Sequence, residues 1–149
     1  MSRFVLSVRF GVALCTSLIA YFLVLSLFNL HTNPLYSLFN GVITGFAIYE
    51  AIRFKRIEKK DDYNYTVGFQ AGIVTGFLAS ILFTIFMAIY ATEIEPGFID
   101  KITNNFSQSY DIGVGIFSFT VLLLGLATTI VLTLSFMQLF KNRITPENK

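Results

Sequence analysis

The chain has 149 residues, of which 54% are hydrophobic and 13% are charged, whereas soluble domains average about 45–50% and about 25%. A chain of this length forms one domain, and a soluble domain of that size has too little interior to bury the apolar excess. The net charge of +2 is too small to indicate a nucleic-acid partner. The composition therefore predicts an integral membrane protein, and its single cysteine, Cys15, excludes an internal disulfide.

The first predicted element is a transmembrane helix at residues 10–30. Arg3 and Arg9 precede this apolar run, and signal peptides also have basic residues before their apolar core. The run is, however, too long for the core of a signal peptide, and no small-residue cleavage site follows it. The run ends before His31, and Pro34 suits the first turn of a new helix. A tight hairpin is therefore expected between the first two helices.

Three further apolar runs follow at residues 35–52, 67–92 and 112–140, and the second of the four runs is the shortest. Each has close to or more than the roughly 20 residues that cross a hydrocarbon core about 30 Å thick. Together with the first run, they predict a single all-α domain, residues 1–149, built as a four-helix transmembrane bundle.

The orientation of the bundle follows from the side of the bilayer on which Lys and Arg fall. The N-terminus, the loop at 53–66 and the C-terminal tail hold every basic residue except Lys101, which lies in the opposite loop at 93–111. Cytoplasmic loops carry an excess of Lys and Arg, so both termini and the 53–66 loop are predicted to be cytoplasmic. The basic residues on that side are Arg3, Arg9, Arg53, Lys55, Arg56, Lys59, Lys60, Lys141, Arg143 and Lys149.

The outer loop at 93–111 contains a further helical pattern. Pro96 stands where a helix could begin, and apolar residues recur at helical spacing after it. These residues are Phe98, Ile99, Ile102 and Phe106. We expect either a short amphipathic helix on the outer face of the bilayer or an irregular loop whose apolar side chains cap the bundle.

A stripe of small residues, each four positions from the next, runs along the third helix. Helices in lipid gain little from hydrophobic burial, so they associate through close backbone contact at such residues. The stripe either packs inside the monomer's own bundle or forms an interface between copies, which would enclose a narrow pore. It consists of Gly68, Gly72, Gly76, Ser80, Thr84 and Ala88, and a shorter version in the second helix consists of Gly41 and Gly45.

Glu50 is the carboxylate predicted within a span, and an ionisable residue inside a membrane is by default a functional candidate. It lies three residues before Arg53 and close to the cytoplasmic end, where an i,i+3 ion pair satisfies it without any further role. The sequence leaves two interpretations open, an ion pair at the helix end and a residue for proton-coupled transport.

The sequence offers no set of residues that predicts catalysis. The single histidine, His31, and the single cysteine, Cys15, lie far apart along one predicted helix, so neither a nucleophile–base pair nor a His/Cys metal site is expected. We therefore expect no enzyme activity, no cofactor and no metal ion.

Three functional hypotheses follow. The leading one is a non-enzymatic scaffold or accessory subunit of a membrane complex, embedded in the lipid bilayer and bound to a second copy or to another membrane protein. The alternative is a small transporter or channel formed by an oligomer, with walls made by the Gly/Ser/Thr-rich faces of the third and fourth helices. A lipid-modifying enzyme would need reactive residues that the sequence does not supply.

Three short stretches support a family resemblance. They are Ile48-Tyr49-Glu50 with Arg53, then Tyr65-Thr66-Val67-Gly68-Phe69-Gln70-Ala71-Gly72, and then Glu95-Pro96-Gly97-Phe98-Ile99-Asp100-Lys101. Their order along nearly the whole chain resembles the bacterial membrane proteins grouped as DUF4199, a domain of unknown function found chiefly in Bacteroidota. The resemblance implies a small multi-pass protein of the bacterial inner membrane and no particular activity.

Overall fold

The computed structural model describes residues 4–104 and 112–141. In chain order, the elements are helix α1 (Val5–Leu27), helix α2 (Pro34–Lys59), a 3₁₀ turn (Lys60–Asp62), helix α3 (Tyr65–Ile89), a π-helical segment (Tyr90–Ile94), helix α4 (Phe98–Asn104) and helix α5 (Val114–Lys141). The described residues include no β-strand, and four of the helices are long and apolar enough to cross a membrane. The predicted all-α four-helix transmembrane bundle is thus confirmed, whereas the cytoplasmic placement of the termini stays a prediction.

The predicted hairpin between the first two helices is present, and its geometry explains where α1 stops. Asn29 adopts a left-handed conformation with φ of 55°, which is common for Asn or Gly just after a helix. Its backbone N–H then donates to the carbonyl of Ser26 at 3.1 Å and closes the helix end. Pro34 begins α2 as expected, and the Asn33 side chain caps the new helix by accepting a hydrogen bond from Leu35 N at 3.0 Å.

The helices extend beyond the apolar runs where charged residues lie. Helix α1 begins at Val5 rather than at residue 10 and includes Arg9, whose long side chain can reach the polar interface from within the helix. Helix α2 continues past residue 52 to Lys59, because its charged residues are good helix formers and lie beyond the apolar stretch. The runs at 67–92 and 112–140 differ from α3 with its π segment and from α5 by one or two residues at each end.

Helix α3 lies at the centre of the bundle and packs against α1, α2 and α5. Short connections join α1 to α2 and α2 to α3, so α1 and α3 run in the same direction and α2 runs the opposite way. The bundle therefore has two ends. The His31 end holds the α1–α2 turn and α4, and the Lys55 end holds the α2–α3 turn and the start of α1.

Helix α3 contacts α5 through its small residues. A Cβ atom built on Gly72 would lie 2.6 Å from Cγ2 of Thr133, and one built on Gly76 would approach Thr129 still more closely. Both threonines are fully buried. At Gly72 and Gly76, the α3 stripe thus packs against threonines of α5 within the chain. A larger side chain at either glycine would push the two helices apart.

In this α3–α5 seam, the hydroxyls of Ser80 and Thr129 bond to their own helices, whereas Thr133 Oγ1 is buried with no hydrogen-bond partner among the described residues. Ser80 Oγ donates to the carbonyl of Gly76 at 2.8 Å, and Thr129 Oγ1 donates to the carbonyl of Gly125 at 2.8 Å. A Cβ atom on Gly125 would lie 2.6 Å from Oγ of Ser80, so the close approach continues along the seam. These residues therefore hold the two helices together by van der Waals contact, while their hydroxyls serve the local backbone.

The outer-loop residues form helix α4, whose apolar side caps the bundle. Phe98 is only 1% exposed and packs with Ile99 and Phe22, and Ile102 contacts the same cluster. Phe106, the fourth residue of the predicted apolar face, lies outside the described residues. The outcome combines the two expectations, because a helix forms but its buried aromatic side chain covers the ends of α1 and α3 instead of facing the bilayer.

Gly76→Leu should lower the free energy of unfolding by about 1–3 kcal/mol, because the new side chain must push α5 away from α3. Gly41→Leu is the matched control, since a Cβ atom on Gly41 would meet nothing within 4 Å, and it should leave stability unchanged. Thermal unfolding in detergent measures both variants. A Gly76→Leu protein as stable as the wild type would show that the α3–α5 contact does not hold the bundle together.

Candidate functional site

A network of hydrogen-bonded polar side chains lies at the His31 end. Its members, called the His31 network below, are Ser26, His31, Tyr90, Glu95 and Lys101. They come from α1, the α1–α2 turn, the π segment with the residue after it, and α4. The network therefore ties four segments of the chain together at one place.

Glu95 is the centre of the network. Its Oε2 accepts hydrogen bonds from His31 Nε2 and Tyr90 Oη, each at 2.8 Å, and its Oε1 accepts one from Lys101 Nζ. A tyrosine hydroxyl has one hydrogen, which goes to Glu95 here, so the Ser26 hydroxyl donates to Tyr90 Oη across 2.9 Å. Three of these hydrogen bonds therefore end on the Glu95 carboxylate, and Ser26 is linked to it through Tyr90.

Aromatic rings enclose His31. Its side chain is only 4% exposed, and its imidazole stacks on the Phe98 ring with centroids 5.4 Å apart and an interplanar angle of 7°. The Phe22 ring meets it edge-on at 5.6 Å. Because Nε2 carries the hydrogen that goes to Glu95, the free position is Nδ1, which is buried and bonded to none of the described residues. The imidazole is thus held in a closed site.

The charge of Glu95 is fixed by its donors. Burial by itself would raise its pKa, but the hydrogen bonds from Lys101, Tyr90 and His31 outweigh this effect and lower the pKa from 4.5 to about 2. The carboxylate is therefore ionised at neutral pH and poorly suited to accept a proton. It serves as a hydrogen-bond acceptor that joins the α1–α2 turn, the π segment and α4.

The network is not arranged as a metal site. His31 and Glu95 supply two of the side-chain types that bind metals, yet they bond to each other. Within residues 4–104 and 112–141, no group of three His, Cys, Asp or Glu side chains could hold a metal ion. The geometry of the network supports a structural role, in which hydrogen bonds hold the ends of α1, α3 and α4 together.

The π segment explains how Tyr90 and Glu95 reach the same oxygen. The backbone N–H of Glu95 donates to the carbonyl of Tyr90 at 2.9 Å, five residues earlier, so the chain makes one wide turn after α3. Pro96 follows at once and, lacking a backbone N–H, does not extend this ladder. The wide turn brings both side chains to the end of α1, where Ser26 and His31 lie.

The sequence does not predict this network, because no local pattern links its members. His31 is predicted as a single histidine after the first helix, and Glu95 as part of the outer loop. The two residues are 64 positions apart, and only the parallel direction of α1 and α3 brings them together. A sequence signal exists, since each of these helices ends on the same side of the bundle and is followed by an ionisable residue.

The predicted packing residues fall into two groups. In the α3 stripe, Gly68 lies against Tyr63 and Met137, while Thr84 Oγ1 donates to the carbonyl of Ser80 at 2.7 Å. Gly68, Gly72 and Gly76 are buried inside the bundle, whereas Thr84 is only half-buried.

The shorter stripe of α2 is not a continuous contact. A Cβ atom on Gly45 would lie 3.7 Å from Leu132 and from Phe136, which is ordinary contact. Gly41 has no atom that such a Cβ would meet within 4 Å. Within the chain, Gly45 therefore contacts α5 and Gly41 does not, so a helix contact at Gly41 stays a prediction.

Glu50 and Arg53 form an i,i+3 ion pair towards the Lys55 end. Arg53 Nη1 lies 3.2 Å from Glu50 Oε1, and the two side chains are 54% and 16% exposed respectively. Exposed pairs of this kind contribute about 0–1 kcal/mol. The structure thus gives Glu50 a local partner, well separated along the bundle from the His31 network.

The four apolar helices and their small-residue seam define a multi-pass α-helical membrane protein. A family model described as "Protein of unknown function (DUF4199)" matches residues 9–111. The chain belongs to this family. The matched region runs from α1 to beyond α4 and includes every member of the His31 network. Comparison with curated proteins and with solved structures found no match.

Glu95→Gln should lower stability at neutral pH by about 1–3 kcal/mol, because an amide cannot replace the charge that three donors share. A folded-state pKa below the ordinary 4.5 means that the stabilising effect is fully present above about pH 4.5 and is lost as the pH falls towards 2. Melting temperatures measured across this range should therefore converge for the wild type and the variant. The control is Glu93→Gln at a nearby exposed residue, and a constant gap at every pH would contradict the role of the charge.

Glu50→Gln should change stability by no more than about 1 kcal/mol, since the pair with Arg53 is partly solvated. The same chemical change at Glu95 provides the comparison, and it should be clearly more damaging in the same melting experiment. If Glu50→Gln folds normally but abolishes a proton-dependent flux into proteoliposomes, the interpretation of Glu50 as a helix-end residue is overturned.

Proposed function

We propose that this protein is a non-enzymatic scaffold or accessory subunit of a membrane complex, placed in the bacterial inner membrane with both termini in the cytoplasm. The observation that carries this proposal is an open apolar groove between α2 and α5, with a volume of about 590 Å³. Its lining consists of Leu38, Gly41, Val42, Gly45, Phe46 and Tyr49 from α2 and Thr128, Leu132 and Phe136 from α5.

The shape of the groove suits a helix from another chain. Gly41 has no side chain to fill the groove, and a Cβ atom there would meet nothing within 4 Å. The neighbouring Leu38, Val42 and Phe46 are 70%, 66% and 68% exposed. In lipid, helices associate where small residues allow close approach and larger side chains interdigitate around them. The groove offers this combination on the outside of the bundle, whereas the α3 stripe is already occupied by α5.

The bonding of the His31 network supports the non-enzymatic part of the proposal. His31 and Glu95 are residue types that often act as acid and base, but the His31 side chain is only 4% exposed and the Glu95 carboxylate is held ionised by its donors. The imidazole lies against Phe98, and the carboxylate holds three donors. Catalysis would require these groups to leave a closed arrangement that also anchors α4.

A small transporter or channel is the alternative. Its predicted walls were the small-residue faces of α3 and α5, but within one chain these faces contact each other at Gly72 with Thr133 and at Gly76 with Thr129. A path along them would require the two helices to separate. Solute or ion flux into proteoliposomes containing the purified protein is the observation that would favour this alternative.

Gly41→Leu should fill the groove and abolish association with the partner while leaving the melting temperature unchanged. Gly115→Leu is the matched control, because a Cβ atom there also meets nothing within 4 Å but Gly115 does not line the groove. Gentle purification from the native membrane, followed by mass determination and identification of the bound proteins, measures the effect. Identical association of the wild type and both variants would refute the groove as the binding surface, and a doubled mass of the wild type would identify the partner as a second copy.

A further inference from the structure

A second cavity lies at the Lys55 end, between α1, α2 and the start of α3. Its volume is about 310 Å³, and polar side chains supply much of its lining. Ser7 contributes from α1, Lys55 and Lys59 from α2, and Gln70 from α3. This cavity is independent of both the α2–α5 groove and the His31 network. Its polar and basic lining, at the end of an apolar bundle, suits a polar occupant.

Lys55 lies deep in this cavity. Its side chain is only 6% exposed, although lysine is seldom buried unless its charge is balanced. Nζ lies 3.0 Å from Glu58 Oε2, but the Glu58 side chain is 40% exposed and does not line the cavity. The ion pair with Glu58 therefore balances the charge of Lys55, whose side chain also lines the cavity.

Lys59 adds a second cation one helical turn further along α2. It lines the same cavity, and it makes no hydrogen bond or ion pair with any residue in the described parts of the chain. Asp62 also lines the cavity and partly offsets this charge. Asn64, the N-cap of α3, lies in the lining too, so the positive end of the α3 dipole is close by.

We propose that this cavity binds an anionic phosphate group, with Lys55 and Lys59 as its cations and Ser7 and Gln70 as further hydrogen-bonding groups. Polar, basic pockets between membrane helices accommodate the phosphate head groups of anionic lipids. The cavity lies where the charged part of α2 follows its apolar part, which is the level at which head groups lie. Phe4, half exposed beside the opening, would contact the upper part of an acyl chain. Inorganic phosphate is the other source of the same chemistry.

Thermal unfolding in detergent tests the proposal with three additives: phosphatidylglycerol, phosphatidylcholine and inorganic phosphate. A ligand that binds only the folded state raises the melting temperature. We expect phosphatidylglycerol to raise it by several degrees more than phosphatidylcholine does. Inorganic phosphate at constant ionic strength should produce a smaller rise if the head group is the natural ligand, and an equal rise would identify free phosphate as the source.

Lys59→Gln should abolish the difference between the two lipids, and Lys55→Gln should do the same if it folds. Lys60→Gln is the matched control, because Lys60 is exposed and does not line the cavity. Retention of the full difference in Lys59→Gln would overturn the site, as would an equal loss in Lys60→Gln, which would indicate attraction to the general surface charge. No stabilisation of the wild type by any of the three additives would also overturn it.

Discussion

The close contact between α3 and α5 is the constraint on which the rest of the bundle depends. Two helices in lipid gain little from burying apolar surface, so the distance between them decides how much dispersion attraction they gain. Gly72 and Gly76 allow the threonine side chains of α5 to reach the α3 backbone. Since α3 also packs against α1 and α2, this contact sets the position of the central helix for all of its neighbours.

The His31 network complements this seam at one end of the bundle. The seam fixes helices side by side through shape, whereas the network fixes their ends through directed hydrogen bonds to Glu95. Helix α4 depends on both kinds of contact, because Phe98 is buried against α1 and α3 while Lys101 bonds to the central carboxylate. A short helix of this kind would have little stability alone, so its presence reflects the contacts that the longer helices provide.

The sequence predicted the fold well because long apolar runs and turn residues act locally. Pro34 marked the start of α2, and the apolar runs located four spans. Long-range pairing was harder to foresee. The stripe identified small residues on α3, but nothing in it specified that Thr129 and Thr133 of α5 would fill the space. Equally, the spacing of Gly41 and Gly45 predicted a contact surface, and only the placement of α5 shows that Gly41 is left open.

The candidate site was largely beyond sequence analysis for a related reason. Glu50 is the predicted ionisable residue inside a span, whereas the network forms from residues at the ends of helices. Local spacing predicts partners three or four positions apart, as for Glu50 and Arg53. It does not predict a bond between His31 and Glu95, which depends on the relative direction and length of three successive helices.

The wide turn between Tyr90 and Glu95 makes the length of this segment a constraint in its own right. A residue in an ordinary α-helix advances by about 100° around the axis, so removing one residue from the turn would rotate Glu95 away from the tyrosine hydroxyl that now lies 2.8 Å from it. His31 would lose its acceptor and Lys101 its anchor in the same step. Replacing one apolar side chain here by another of similar size alters packing only locally, whereas an insertion or deletion within these few positions would disconnect α4 from the bundle. The number of residues between Tyr90 and Glu95 thus matters more for the attachment of α4 than the identity of those residues.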